Sequence, residues 1–384
     1  WKVVAVSEGV ESAATTGMQT TSAATTYYWV GTSSAGTPGA FATLSNWNTA
    51  ADGSGTTPTT LATTDVYIVD GDGSTTTGGN VFISLAAATT VGQLKIISNT
   101  TLSLESATTT TRTVTISGGP GEDFVVENGS TLNLLNATKA SAIAFSGSGN
   151  VGTIAGVYNA SASTSNTINT TGGTGTAVTV TSTGVVNNSI VGSSGCLLGS
   201  AATLSFANGS SYTHSSFTTS NAYVPLATWG ASSNVFITGG TTSTGLSNNA
   251  QTFGNFTYNS ATSTATMSAF TSTTTAVIQG NLTILATGVI GGTGIFRATT
   301  SGTLTVNGDV FITQGKFQAS STSGTVIANG NTTIAANGIL ELSTTGIGGF
   351  SQRGNLFTND GVLTGTSGTL SFVNFTGSAA QTLA

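Results

Sequence analysis

Few side chains in this 384-residue chain could do chemistry, because charged residues make up only 5% of it. The densest acidic group is Asp65, Asp70 and Asp72, the last two within Asp70-Gly71-Asp72-Gly73-Ser74. Closely spaced carboxylates among glycines could wrap Ca²⁺, a cation that takes about six to eight oxygen ligands. The stretch lacks the further ligand and the distal Glu of a full calcium loop, so an ordinary turn explains it more simply. A second acidic patch, Glu122, Asp123 and Glu127 after Pro120, reads as a solvated loop. His214 has no second His and no acid nearby, and a triad or zinc site needs such partners. An exposed strand histidine is the expectation there. Cys196, the sole cysteine, lies in Gly195-Cys196-Leu197-Leu198 and reads as a buried small hydrophobe.

Carbohydrate-cleaving chemistry would need paired carboxylates, or carboxylates with Arg or Lys, on one face. After Glu127 the only acids are Asp309, Glu341 and Asp360. Asp309 fills a turn position held by Asn elsewhere, and Lys316 and Arg353 read as solvated surface positions. The expectation is therefore a protein without a catalytic site. The aromatics Tyr27, Tyr28, Trp29 and Trp47 could stack on sugar rings, or could instead close one end of a β-structure; the second use is favoured.

These residues must be positioned by elements that repeat. The phrase reads Gly254-Asn255-Phe256-Thr257-Tyr258, then Gly280-Asn281-Leu282-Thr283-Ile284, then Gly308-Asp309-Val310-Phe311-Ile312. It returns as Gly330-Asn331-Thr332-Thr333-Ile334 and Gly354-Asn355-Leu356-Phe357-Thr358, with a loose copy at Ser233-Asn234 and an upstream one at Gly79-Asn80. A turn followed by a short strand, recurring at this interval, is one coil of a β-solenoid. Up to three strand-like segments per interval, joined by Gly and Asn corners that tolerate positive φ, predict an all-β, right-handed parallel β-helix. Asn-Gly pairs from Asn128 to Asn337 could instead close hairpins, which makes a β-sandwich array the alternative. The expected organisation is an extended lead-in at 1–26, an aromatic capping region at 27–83, and solenoid repeats at 84–384. The repeats are clearest over 253–384 and only inferred between about 100 and 230.

Composition excludes some partners. A net charge of −6 leaves no basic stripe for nucleic acid. No apolar run reaches the ~18–20 residues that span a bilayer. From Lys139 to Arg297 there is no charged residue between them. Apolar residues at 38% nevertheless argue for a buried core rather than a disordered tract. Trp1 is not a translated start, so the chain is expected to be a piece of a longer polypeptide.

The opening Tyr27-Tyr28-Trp29-Val30-Gly31, the later Asn46-Trp47-Asn48 and Asp65-Val66-Tyr67-Ile68 resemble the start of β-helical surface proteins of Bacteroidota. The Gly-Asn-Leu-Thr-Ile phrases and the closing Gly377-Ser378-Ala379-Ala380-Gln381-Thr382-Leu383 are similar to repeat modules of the same secreted, adhesin-like proteins. The resemblance covers 27–83 and 253–384, and the middle by composition alone. It implies export by the type IX secretion machinery, an extracellular or cell-surface location, and a role in attachment to a cell surface, a glycan or an abiotic surface. The C-terminal sorting domain of that route is not recognisable after Phe372. The Asp-Ser/Thr-hydrophobic glycosylation motif of that phylum does not occur.

Four functions follow as expectations. The leading one is a non-catalytic spacer and contact surface, capable of self-association, in an adhesin or filament. A glycan-binding module using Tyr27, Tyr28, Trp29 and Trp47 is the alternative. A polysaccharide-degrading β-helix is less favoured, and so is ice binding by Thr303-Leu304-Thr305, because the repeats do not keep Thr-x-Thr in register.

Overall fold

The structure, a computed structural model, describes residues 24–71, 78–191, 195–215, 221–240, 244–270, 275–343, 347–365 and 372–384, preceded by four two-residue strands between Lys2 and Thr16. Strands dominate it, and a single 3-10 turn at Leu44–Asn46 is the helical element among the described residues. Each circuit of the chain lays down up to three short strands, and each strand pairs in parallel with its counterpart one circuit later. The protein is a parallel β-solenoid.

The first face is a nine-stranded sheet that starts with the antiparallel edge strand Trp47–Asn48 and runs from Thr26–Trp29 through Val66–Val69 and Gln93–Ile96 to Thr228–Trp229. A six-stranded sheet from Thr252–Phe253 to Phe372–Phe375 carries this face onward. The second face begins with Gly79–Leu85 and Thr100–Ser106 and rises to Leu356–Asn359 and Thr382–Leu383. The third face starts with the five strands from Thr89–Val91 to Leu197–Leu198, and Ile295–Thr299 belongs to its later part. Val310–Ser320 and Thr332–Glu341 each bend around one corner, serving the second face at one end and the third at the other. The Asn-Gly pairs therefore turn between faces and do not close hairpins. Gly129 and Gly209 do so at φ +86° and +87°.

Strand alternation separates inside from outside. Val235 and Ile237 point inward from Asn234–Thr238, as do Leu282 and Ile284 from Leu282–Ala286. Aromatic rings stack up the interior along the first face. Phe206 lies flat on Trp229 at 4.1 Å between centroids, and Trp229 meets Phe253 at 6.0 Å. This fourth tryptophan is core.

The repeated phrase has a defined place: the corner that opens the second face. Register aligns Ser233 with Gly254, then Gly280, Gly308 and Gly330. Traced downward, the same column passes through Ser210, Gly184, Gly156, Ser130, Thr100 and Gly79. The repeat thus runs through the region where the sequence blurs it, with Thr100, Ser130 and Ser210 standing where Gly is found in other circuits. At the glycines themselves space is tight. A Cβ on Gly308 would sit 2.6 Å from the Gly280 carbonyl carbon, and one on Gly354 would sit 2.8 Å from the Asn331 nitrogen. Neither glycine has a positive φ, so the expectation that tolerance of positive φ selects these corner residues is corrected for the phrase itself.

The next residue explains the Asn. Its side-chain oxygen accepts the backbone N–H of the same position one circuit above: Asn255 from Asn281 at 2.8 Å, Asn281 from Asp309 at 2.8 Å, Asp309 from Asn331 at 2.7 Å. Only the acceptor oxygen is used in these bonds, so Asp309 serves as well as Asn. The last copy departs from the expected alignment. Thr332 pairs with Phe357, not Leu356, and Leu356 donates its N–H to Asn331 at 3.1 Å. A one-residue slip places Phe357 inside and leaves Leu356 partly exposed, because strand alternation puts neighbours on opposite sides.

In urea unfolding, Gly308→Ala is expected to lose ~1–3 kcal/mol by overpacking the corner. Asp309→Asn should stay within ~0.5 kcal/mol of the parent, and Asp309→Ala should lose ~1 kcal/mol with its acceptor.

Candidate functional site

The aromatic group of the N-terminal end closes on itself. Trp29 and Trp47 face each other across an antiparallel pair, edge to face at 5.1 Å, and Tyr67 and Phe41 pack on Trp47 at 4.9 and 5.0 Å. Trp47 donates its indole N–H to the Phe41 carbonyl at 2.8 Å. Both tryptophans are 0% exposed, so neither offers a ring face to a sugar. Tyr27 and Tyr28 remain partly exposed, and Tyr27 stacks on Tyr67 at 6.1 Å. Trp29 and Trp47 together form a plug, not a platform. Within residues 27–83, Thr26–Trp29, Val66–Val69 and Gly79–Leu85 already pair in the parallel register of the stack.

The acidic residues are used locally. Asp65 is buried and accepts N–H groups from Thr25 at 2.9 Å and Ala62 at 3.3 Å, which ties the first rung to the turn before the second. Asp70 is buried beside Gly71, and burial raises its carboxyl above the ordinary range. Asp72 lies outside the described residues. Among the described residues, no three His, Cys, Asp or Glu side chains gather closely enough to hold a metal ion. Asp123 is not a solvated loop residue as expected. It is 1% exposed and accepts N–H bonds from Gly119 at 2.7 Å, Val151 at 2.8 Å and the Gln93 amide at 3.2 Å. Glu127 accepts the Ser98 N–H at 2.6 Å. Three circuits are stitched together by this patch.

His214 corrects another expectation, for it is 0% exposed. Register places it at the inward position that Ile237 fills one circuit above, with Asn188 below it. The Nδ1 atom lies 3.0 Å from the Asn188 amide nitrogen and 3.3 Å from the Tyr223 backbone nitrogen. Both of those are donors, so Nδ1 is an acceptor and the ring is the neutral Nε2–H tautomer. Alignment of Ser210-Ser211-Tyr212-Thr213-His214 with the phrase would have revealed this inward position. Cys196 is buried nearby, and burial pushes its thiol well above its usual range.

On the third face, Ser268, Arg297, Gln318, Glu341 and Thr364 form one register column. Arg297 donates through Nε to Gln318 and through Nη1 to Ser268 at 3.3 Å. Gln318 donates to Glu341 at 2.6 Å, and Lys316 pairs with the other Glu341 oxygen at 3.4 Å. Lys316 is thus a stitch between circuits, not the freely solvated residue expected. Both Glu341 oxygens are engaged, so this column is a self-satisfied ladder with no carboxylate held ready as a base.

Grooves open on the outside of the described residues. One of about 350 Å³ lies under the turn Val289–Gly292 and is floored by Gly315, Lys316 and Gly338. Another, about 260 Å³, lies on the second face near the aromatic plug and is lined by Pro38, Phe82, Ser103, Glu105, Asn133 and Asn136. No protein-family model matches the chain, and no curated protein or solved structure matches it.

Three outcomes check these assignments. Trp47→Ala is expected to cost ~3–5 kcal/mol in denaturant titration. Cys196 should resist Ellman's reagent in the native protein and react fully in guanidinium. The raised Asp70 carboxyl makes its ionisation a cost to the fold as pH climbs through the raised value. Asp70→Asn should therefore raise the thermal midpoint at neutral pH and leave it unchanged well below the ordinary value of ~3.9. A calcium-dependent loss of stability in the same variant would reveal a cation at Asp70 instead.

Proposed function

We propose that this chain is a non-catalytic segment of a secreted cell-surface adhesin or extracellular filament, acting as an elongated spacer and contact surface. The observation that supports this reading is the parallel stack of strands from Thr26–Trp29 to Phe372–Phe375, on which several outward columns are built of neutral side chains. On the second face, Ser103, Asn133, Asn159 and Asn187 stand one above another, with amide contacts of 3.4, 2.9 and 2.9 Å between successive circuits. On the first, Thr153, Thr179, Ser205 and Thr228 share a column, and the Thr179 and Ser205 hydroxyls are 3.0 Å apart. At ~4.8 Å per rung, the stack makes a rod of about 60–70 Å. Side chains that bond along the rod axis give it stiffness while leaving a surface of hydroxyls and amides with little long-range field. The charges that are present are largely engaged between circuits, which favours short-range contact over electrostatic capture.

Export through the type IX route of Bacteroidota belongs to this proposal through the resemblance of the Tyr-Tyr-Trp-Val-Gly and Gly-Asn-Leu-Thr-Ile phrases. Small-angle scattering should return a rod of that length, and a compact globule would sink the spacer reading. Protease shaving of intact cells that make the protein should release its peptides. Peptides appearing only after lysis would overturn the surface location.

A further inference from the structure

The 260 Å³ groove on the second face is a built feature with a recognisable chemistry. Its floor is a single register column in which Phe82, Ser103 and Asn133 occupy successive rungs. An aromatic ring, a hydroxyl and an amide are therefore presented ~4.8 Å apart along one line. One wall is the loop before Gly39, closed by a tight turn in which Ser34 and Thr37 exchange backbone hydrogen bonds at 3.1 and 3.0 Å. Ser33 clips this loop to the sheet by accepting the Phe82 N–H at 2.9 Å, and Gly39–Ala40 pairs in parallel with Ile83–Ser84. Pro38 and Ala35 give that wall an apolar surface.

The opposite wall carries the polar set. Asn136 donates to Glu105 at 2.6 Å while its own oxygen accepts the Thr138 and Lys139 N–H groups at 3.1 and 2.9 Å. The Lys139 ammonium lies 3.7 Å from the other Glu105 oxygen. Glu105 is thus held in place by two donors, with lone pairs left over, since an ionised carboxylate has about four acceptor sites. Asn133 donates one amide hydrogen toward Ser103 at 3.4 Å and keeps a second. Leu135 remains 43% exposed at the rim.

We propose that this groove binds one ring of a neutral pyranose glycan, with a C–H face against Phe82 and Pro38 and hydroxyls directed to Glu105, Asn133 and Ser103. Three features select that ligand. The groove is smaller than the ~300–1,000 Å³ sites that take drug-sized molecules, which suits a single ring. An apolar face opposed by carboxylate, amide and hydroxyl matches a pyranose, which has C–H groups on its face and hydroxyls on its rim. The Lys139 partner makes Glu105 nearly neutral overall, and the chain as a whole is at −6, which disfavours sugar acids. The buried tryptophans contribute only by anchoring the wall. This inference goes beyond the spacer reading and stands apart from it: a rod that binds no glycan leaves the spacer intact.

The test is calorimetry and saturation-transfer NMR on the full chain with cellotetraose, mannotetraose, laminaritetraose and chitotetraose, and with hyaluronan and polygalacturonate oligosaccharides as acidic controls. At least one neutral tetrasaccharide should bind at ~1 mM or tighter. Glu105→Gln and Phe82→Leu should each weaken it about tenfold or more, while the thermal midpoint of Glu105→Gln stays close to the parent value. Binding to none of the neutral sugars, preference for an acidic one, or binding unmoved by both substitutions would each overturn the proposal.

Discussion

One corner sets the terms for the whole stack. Successive circuits come so close where the second face begins that a Cβ on Gly308 or Gly354 would run into the backbone below. Where the position is glycine, the backbone of one circuit rests directly on the next, and where it is Thr100, Ser130, Ser210 or Ser233 the corner accommodates a side chain within the same parallel stack. The adjoining Asn or Asp then closes each junction by accepting the N–H one circuit above. These donors lie at an exposed corner, where the side-chain oxygen takes the place of water and ties one circuit to the next. The two devices recur together from Gly254 to Asn331.

Once the stack is set, the few charged and polar side chains find work between circuits. Asp123 and Glu127 accept N–H groups from neighbouring turns, and Glu341 holds both Gln318 and Lys316 of the circuit below. A protein with so little charge does not spread it over the surface for solubility. It uses neutral Asn, Ser and Thr columns outside and buries Asp65 and Asp123 as acceptors, each satisfied by several donors. This is why acidic clusters that look like ligand sets in sequence become structural joints, and why the remaining candidate for recognition is a groove of mixed chemistry near one end.

Legibility varied along the chain for physical reasons. The phrase from Gly254 to Ile334 was readable because glycine and asparagine are both used there, one for space and one for its acceptor. Between 100 and 230 the corner is Thr100, Ser130 or Ser210 in three circuits, and Thr101, Thr131, Val157, Val185 and Ser211 stand where Asn would, so the phrase loses its letters but keeps its place in the register. The final copy was read one residue out, since Leu356 and Phe357 are both apolar and only packing tells which points inward. His214 was misplaced for a related reason: a polar residue at an inward position looks like surface until a donor such as Asn188 is found opposite it. Of the candidate site, Trp29 and Trp47 were visible as a cluster, but the groove was not, because Phe82, Glu105 and Asn133 come from three separate circuits.

The sequence by itself determined the class of fold, through a period of short strands, small corners and apolar alternation that no helix could use. It determined as well that charge is sparse along the chain. Tertiary structure alone decided which residues meet. Contacts in a solenoid join positions that the chain separates by a full circuit, and circuits here differ in length, so spacing in sequence does not give register. Register decides whether a side chain is core or surface, and whether an acid is a site or a joint.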